Sequence, residues 1–402
     1  MSTIKVNSIK NTATNDGGIA IDNSGHVQID GQQLPSAGPL SNRNLVINGA
    51  MQINQRGTTT TGGYGGPDRW KGDFNMSGLA IEKSQQQDAP ANTGLQKCYQ
   101  YKVTTAASGS ADEYVGFSNY LEFQDIYRAI WANNTDLTVS FWVKSSVTGT
   151  FGFSFNPSNV AESTSDSDRR VLYHTTYTIS SANTWEYKTI TIPMATFNSS
   201  YTINDTGADA QVDFGCQLTW VLDVISGGTR DDAALGWNDP LTEARNFVVT
   251  SANADSGFSS TTNATWKITG IQFEVGSVAT PFEHRSFNDE LIRCQRYYTR
   301  YDHSTGGMGL NAPGFHNDAD TIFNSIFFPT LMRTTGMQVE YSNLSHFDFE
   351  PYDIAVTSIN LYRIAPNVVT LTCDAASNGS RGDVAFLTID QDNGFIAFDS
   401  EI

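Results

Sequence analysis

The feature that most restricts this chain is a period of two. Leu137–Val143, Phe151–Phe155, Leu172–Ile179, Trp185–Ile192 and Trp266–Phe273 each alternate β-branched or aromatic side chains with polar ones, and clusters of Gly, Asn, Ser and Pro separate them. Side chains spaced in this way line the two faces of a strand, one toward a core and one toward solvent. No amphipathic stretch long enough for a crossover helix lies between the runs, so they read as an antiparallel jelly-roll sandwich rather than as βαβ units. A second series, Thr321–Pro329, Met337–Tyr341, Val368–Thr372, Val384–Ile389 and Phe395–Phe398, reads as a smaller C-terminal β-sandwich or barrel. Between the two, Leu291, Ile292, Gln295 and Tyr298 recur at helical spacing and predict one short helix over Asn288–Tyr298, placed as a hinge between domains.

The first residues follow the same period on a smaller scale. Ile19, Ile21, Val27 and Ile29 fall on one face of a hairpin around Asn23-Ser24-Gly25, with a further short strand expected at Ile4–Val6. A hairpin of this size cannot bury its own apolar stripe, so the stripe is expected to pack on copies of itself or on another protein. Gln32–Asn44, with two prolines and several small polar residues, reads as a linker. The expected organisation is an all-β chain of three parts: a segment 1–42 for oligomerisation or docking, a sandwich 43–286, and a β-domain 287–402.

Composition narrows the partners. Lys and Arg number 24 against 42 Asp and Glu, a formal charge of −18, which repels nucleic acid and anionic lipid alike. The acidity reads as solubility; a structural calcium ion stays open, although no calcium-loop motif accompanies the carboxylates. Cys98, Cys216, Cys294 and Cys373 are far apart and form no metal or disulfide pattern, so they are expected as buried free thiols. The first residues lack the apolar core of a signal peptide, and no run of about 18 apolar residues predicts a membrane span.

Chemistry is hard to find. Carboxylates abound without any pair singled out for glycoside hydrolysis, no GxSxG motif occurs, and the six histidines are scattered, with His174 and His284 expected as hydrogen-bonded structural residues. No enzymatic activity and no cofactor are expected. Two turn-rich stretches mix an aromatic ring with amide and carboxylate groups, the combination that grips sugars: Trp237 with Asn238 and Asp239, and Tyr201 with Asn204 and Asp205. The alternative for each is a ring that packs under its own loop.

Three stretches go beyond pattern. Asn44–Gly57 (NLVINGAMQINQRG) with Asp68-Arg69-Trp70, then Ile268–Arg285 (ITGIQFEVGSVATPFEHR), then Glu290–Tyr298 (ELIRCQRYY), are similar in order and spacing to the opening strand, closing strand and following helix of bacteriophage tail-fibre and minor structural proteins with a carbohydrate-binding-like jelly-roll domain. The opening MSTIKVNSIK resembles the start of fibres from marine and cyanobacterial phages, and Phe398–Ile402 looks like the usual stop of such fibres. The resemblance implies a virion tail protein, made in the host cytoplasm without a signal peptide, that binds a host-surface glycan during adsorption. Its implied partners are other tail proteins and further copies of itself in a homotrimer. It supplies no catalytic and no ligand residues. A purely architectural capsid fibre or tail adaptor, and a glycan depolymerase, remain the alternatives.

Overall fold

The computed structural model describes residues 8–10, 18–21, 27–29, 32–33, 42–111, 113–130, 135–157, 172–195, 214–225, 235–238, 256–303, 309–334, 336–351, 353–376 and 379–401. The chain divides into two compact units, Met1–Arg285 and Ser286–Ile402. Within the first, β1 (Ser8–Lys10), β2 (Gly18–Ile21), β3 (Val27–Ile29) and β4 (Gln32–Gln33) form a small antiparallel sheet of their own. The register sets Ile19 opposite Ile29 and Ile21 opposite Val27, which is the stripe the alternation predicts. Ile19 and Ile21 are 44% and 46% exposed. The expected strand at Ile4–Val6 lies outside the described residues.

The body of the first unit is an antiparallel jelly-roll sandwich. One sheet has the order β13-β10-β16-β8-β7, built from β7 (Ala80–Gln86), β8 (Cys98–Thr105), β10 (Leu137–Ser145), β13 (Glu186–Ile192) and β16 (Thr265–Val275). The other has the order β15-β12-β11-β14-β9-β6-β5, built from β5 (Gly63–Tyr64), β6 (Trp70–Asn75), β9 (Tyr114–Glu122), β11 (Gly149–Pro157), β12 (Leu172–Ile179), β14 (Phe214–Val224) and β15 (Gly236–Asn238). From β8 onward the chain keeps switching sheets, so strands distant in sequence become neighbours. A short helix absent from the sequence reading, α1 (Phe123–Ile130), follows β9 and buries Ile126.

Facing side chains of the two sheets meet in an aromatic core centred on Phe117. Trp70 stacks on it at 4.7 Å and 6°, while Tyr99, Trp266, Trp220 and Tyr101 approach at 5.1, 5.5, 5.7 and 5.8 Å. All six rings are fully buried, and each such pair adds about 0.5–1.5 kcal/mol beyond the area it removes from water. The core also takes in one lysine. Lys83 on β7 is fully buried, and its Nζ donates to the Gly63 carbonyl at 2.6 Å. Burial, helped by the Arg56 charge and opposed by Asp73, pulls its ammonium down to about 8.

Two of the recognisable stretches, Asn44–Gly57 and Ile268–Arg285, prove to be the parts that close this sandwich. Beyond Ile268, where β8 stops pairing, the edge of β16 is taken over by residues 44–49: Leu45 N donates to the Phe273 carbonyl and Ile271 N to the Gly49 carbonyl. Asn44 seals the junction, its Nδ2 donating to the Ile271 carbonyl at 2.9 Å and its Oδ1 accepting from Val46 N and Phe273 N at 3.0 and 3.1 Å. Gly49 allows this approach, because a Cβ there would sit 2.1 Å from the Ile271 carbonyl oxygen. Asn48 then binds the Ile53 and Asp68 carbonyls through Nδ2, and its own carbonyl accepts from Trp70 Nε1. On the exit side, Gln272 donates to Glu274 and Thr280 and accepts from Glu283 N, while Thr280 N and its hydroxyl both donate to Glu274.

The second unit opens with α2 (Phe287–Gln295), capped by Ser286, whose hydroxyl oxygen accepts from Asp289 N. The helix ends earlier than its spacing predicts and turns a different face inward: Glu290 and Cys294 are buried, Ile292 is exposed, and Tyr298 belongs to the next strand. Polar cap and charge positions override the weak apolar period. β17 (Tyr298–Asp302), β20 (Gln338–Tyr341) and β25 (Phe395–Asp399) form a sheet in the order β17-β25-β20. β18 (Asn311–His316), β19 (Thr321–Phe327), β21 (Phe347–Glu350), β22 (Ile354–Ala365), β23 (Val368–Ala375) and β24 (Val384–Ile389) close a barrel in the order β18-β19-β23-β22-β21-β24. Its core includes Ile322, Phe347, Phe349, Leu371, Leu387 and Phe398.

All four cysteines are buried free thiols, and burial pushes Cys98 and Cys373 up to about 12. No helix among the described residues is long and apolar enough to cross a membrane.

Two outcomes follow from this packing. Asn44→Ala leaves two backbone amides and one carbonyl without their side-chain partner and is expected to lower unfolding free energy by about 2–4 kcal/mol, read as a lower urea midpoint. Lys83 is held below its ordinary value in the folded chain, so between about pH 8 and 10.5 the unfolded chain binds the extra proton and stability rises with pH. Lys83→Met is expected to flatten that rise in a pH series of thermal melts.

Candidate functional site

Of the six residues singled out as sugar-binding candidates, Tyr201, Asn204, Asp205 and Asp239 lie outside the described residues. Trp237 and Asn238 form part of β15, opposite Tyr173 and Leu172 on β12. The Trp237 ring leans on Tyr173 at 5.4 Å and Phe155 at 6.0 Å, and its Nε1 donates to the Pro193 carbonyl at 2.7 Å. This indole packs against the core with its polar atom already engaged.

A different surface combines aromatic rings with polar groups: the outer side of the five-stranded sheet. On β10 the residues Val139, Phe141 and Val143 point inward, which sends Trp142 and Lys144 outward. On β13 the same alternation buries Ile190 and Ile192 and sends Tyr187 outward, directly opposite Trp142. Trp142 and Tyr187 meet at 5.1 Å with their planes tilted by 46°, and Tyr187 is 44% exposed. A bulge in β16 makes room for the indole. Ser140 pairs with Gln272 and Trp142 with Thr269, so Gly270 and Ile271 share one place. Gly270 takes φ +63°, and a Cβ on it would lie 2.7 Å from Leu95 and 3.2 Å from Trp142.

Next along the strip stands an ionic cluster. Asp88, from the connection between β7 and β8, pairs with Lys144 at 2.5 Å and Lys267 at 2.7 Å, and it accepts from Trp185 Nε1 at 3.2 Å. The Lys144 ammonium also lies over the Trp185 ring, 5.0 Å from its centre. Burial works to raise the Asp88 carboxyl, but hydrogen bonds from Lys144, Lys267 and Trp185 outweigh it and hold the group at about 2. Tyr187 moves the other way: burial and the Glu274 charge raise it against a hydrogen bond from Ser140, so it stays a neutral phenol at physiological pH. Exposed Tyr187 and two partly buried indoles thus stand beside fixed charges, a mixture of ring and polar groups of the kind that meets pyranose rings and their hydroxyls.

The groups with perturbed protonation fit acid–base chemistry less well. His174 on β12 is buried, its Nδ1 has no partner among the described residues, and burial alone brings it down to about 4, so it is neutral at pH 7. It is not the hydrogen-bonded histidine expected, whereas the His284 ring does contact the Thr93 carbonyl through Nε2 at 3.1 Å. Asp348 on β21 rises to about 6 through burial and the neighbouring carboxyls of Asp390, Asp353 and Glu350. No group of three or more His, Cys, Asp or Glu among the described residues is placed to hold a metal ion.

No protein-family model and no curated protein matches the chain. Among solved structures it is similar to the enzymatically active domain of tailspike protein 4 from bacteriophage CBA120, with 11% identity and a TM-score of 0.31 over 60% of this chain; it spans 22% of that one. It is similar too to a family 11 carbohydrate-binding module from Clostridium thermocellum, solved with a mixed-linked tetrasaccharide, at 14% identity and a TM-score of 0.26 over 55% of this chain and 97% of that one. A xylan-binding domain from Paenibacillus barcinonensis gives 12% identity and a TM-score of 0.23 over 59% and 96%.

The ionic cluster carries a pH signature. Because the Asp88 carboxyl lies below its ordinary 3.8 in the folded chain, its contribution is complete above that value and is lost as pH falls through about 2. Asp88→Asn is expected to flatten the acid limb of stability between those values and to lower stability at pH 7 by about 1–2 kcal/mol, with both read from urea denaturation.

Proposed function

We propose that this chain is a structural protein of a bacteriophage virion, a tail fibre that binds a host-surface glycan through the outer side of the five-stranded sheet. The observation that carries the reading is the pairing of partly buried Trp142 with exposed Tyr187 beside the Asp88–Lys144–Lys267 cluster. Aromatic side chains in the solvent phase of a strand lose hydrophobic burial unless a ligand covers them, and fixed charges beside them supply orientation. The fibre assignment draws support from the resemblance of Asn44–Gly57 and Ile268–Arg285, whose residues build the closure of the sandwich, and of Glu290–Tyr298 at the opening of the second unit. The exposed Ile19 and Ile21 support self-association of the first segment as a homotrimer docked among other tail proteins, and three copies multiply a weak individual affinity. The protein is made in the host cytoplasm and acts at the virion tail. It binds its glycan without cleaving it.

The test is binding of the full chain to host cells and to polysaccharide from their envelope. Trp142→Ala and Tyr187→Ala are expected to weaken binding at least tenfold while melting temperatures move little, since both rings lie on the outer side. Unchanged binding by both variants would remove the strip from the reading, and new reducing ends in the polysaccharide would replace binding with hydrolysis. Ile19→Ser combined with Ile21→Ser is expected to convert the trimer to monomers in light scattering; a wild-type monomer would sink the trimer.

A further inference from the structure

The outer wall of the C-terminal barrel carries a second aromatic surface. In a barrel, side chains alternate between interior and exterior; on β19 Ile322 and Ile326 are buried, so Phe323 and Ser325 face out. Phe315 on β18 lies opposite Phe323 and meets it edge-on at 5.9 Å and 78°. On the other side Tyr362 of β22 stacks on Phe323 at 4.7 Å and 12°. Phe315 and Tyr362 are 49% and 50% exposed.

Tyr362 reaches this wall through a slip in register. Leu361 pairs with Leu371 and Arg363 with Thr370, so Tyr362 is an extra residue in β22, and a bulge of this kind re-aims its side chain. Tyr362 and Arg363 therefore both border the same groove, of about 330 Å³, together with Ser325 and Thr370. The Ser325 and Thr370 hydroxyls lie 3.4 Å apart, and the Arg363 guanidinium sits 5.3 Å from the centre of the Tyr362 ring. No carboxylate among the described residues pairs with Arg363, although the chain carries a charge of −18.

We propose that this groove is a second saccharide site, selective for a sugar that bears a carboxylate. The rings offer a platform for the apolar face of the sugar, the two hydroxyls meet its hydroxyls, and the planar fork of Arg363 suits a carboxylate in two-point contact. On an acidic protein a guanidinium with no carboxylate partner among the described residues, set beside a ring platform, attracts an anion and discriminates against the neutral sugar. The site is separate from the strip on the sandwich, so either can fail alone.

Calorimetric titration of the full chain with trigalacturonate and with its methyl ester tests this, since the ester keeps the rings and removes the charge. The acid is expected to bind at least tenfold more tightly than the ester, with affinity falling as salt rises. Arg363→Gln is expected to bring the acid down to the level of the ester, and Tyr362→Ala to weaken both. Hydroxyl-radical footprinting with trigalacturonate is expected to protect Tyr362 and Phe315. The proposal falls if neither compound binds, if acid and ester bind equally, or if Arg363→Gln changes nothing. Protection of Trp142 and Tyr187 instead overturns it while leaving the sandwich strip standing. A shift of the full chain to a smaller assembly on Tyr362→Ala, seen by light scattering, assigns the wall to contact between copies and also overturns it.

Discussion

One amide side chain joins the beginning of the sandwich to its end. β16 sits in the middle of its sheet, yet for half its length it has no strand on one side, and a strand edge inside a protein leaves backbone donors and acceptors without partners. Asn44 and the residues after it supply them across a separation of 227 residues. The rest of the first unit depends on this. The bulge at Gly270, which makes room for Trp142 on the neighbouring β10, and Gln272 and Glu274, which hold Thr280, belong to the strand that Asn44 secures. A contact so distant in sequence forms only after most intervening strands have found their places, which makes folding of this unit slow relative to helical proteins of equal size.

Much of this architecture was legible because alternation in a half-buried strand is a direct imprint of its two environments. β12 and β24 have the boundaries their residues imply, and the stripe of Ile19, Ile21, Val27 and Ile29 has the register its hairpin demands. Other elements left no such imprint. β9 is buried along both faces, so its residues do not alternate in polarity, and α1 is too short to display a helical period. The face of α2 was misjudged because Leu291 and Ile292 dominate its hydrophobicity, while the buried positions belong to Glu290 and Cys294.

The candidate site was harder to read than the fold. Turn-rich text points to Trp237, which proves to be packed, with Asn238 beside it in β15, while Tyr201, Asn204, Asp205 and Asp239 lie outside the described residues. The informative signal lay within the strands. In Leu137–Val143 the core positions are Leu137, Val139, Phe141 and Val143, so Trp142 occupies a place where alternation calls for a polar side chain. Tyr187 does the same beside Ile190 and Ile192. An aromatic ring in the wrong phase is a residue whose reason for being there lies outside the core. Asp88 could not have been found this way, because only the fold brings it to Lys144 and Lys267.

The bulge at Tyr362 also bears on how such a protein diversifies. A strand that gains a residue ordinarily shifts every later side chain to the opposite face, but here pairing resumes at Arg363 and Thr370, and the rest of β22 keeps its orientation down to Ala365 and Val368. Insertion and deletion are thus tolerated at this point of the barrel wall without disturbing the interior. At this position a codon gained or lost exchanges what the wall displays, while Val369, Leu371 and Cys373 stay buried beneath it.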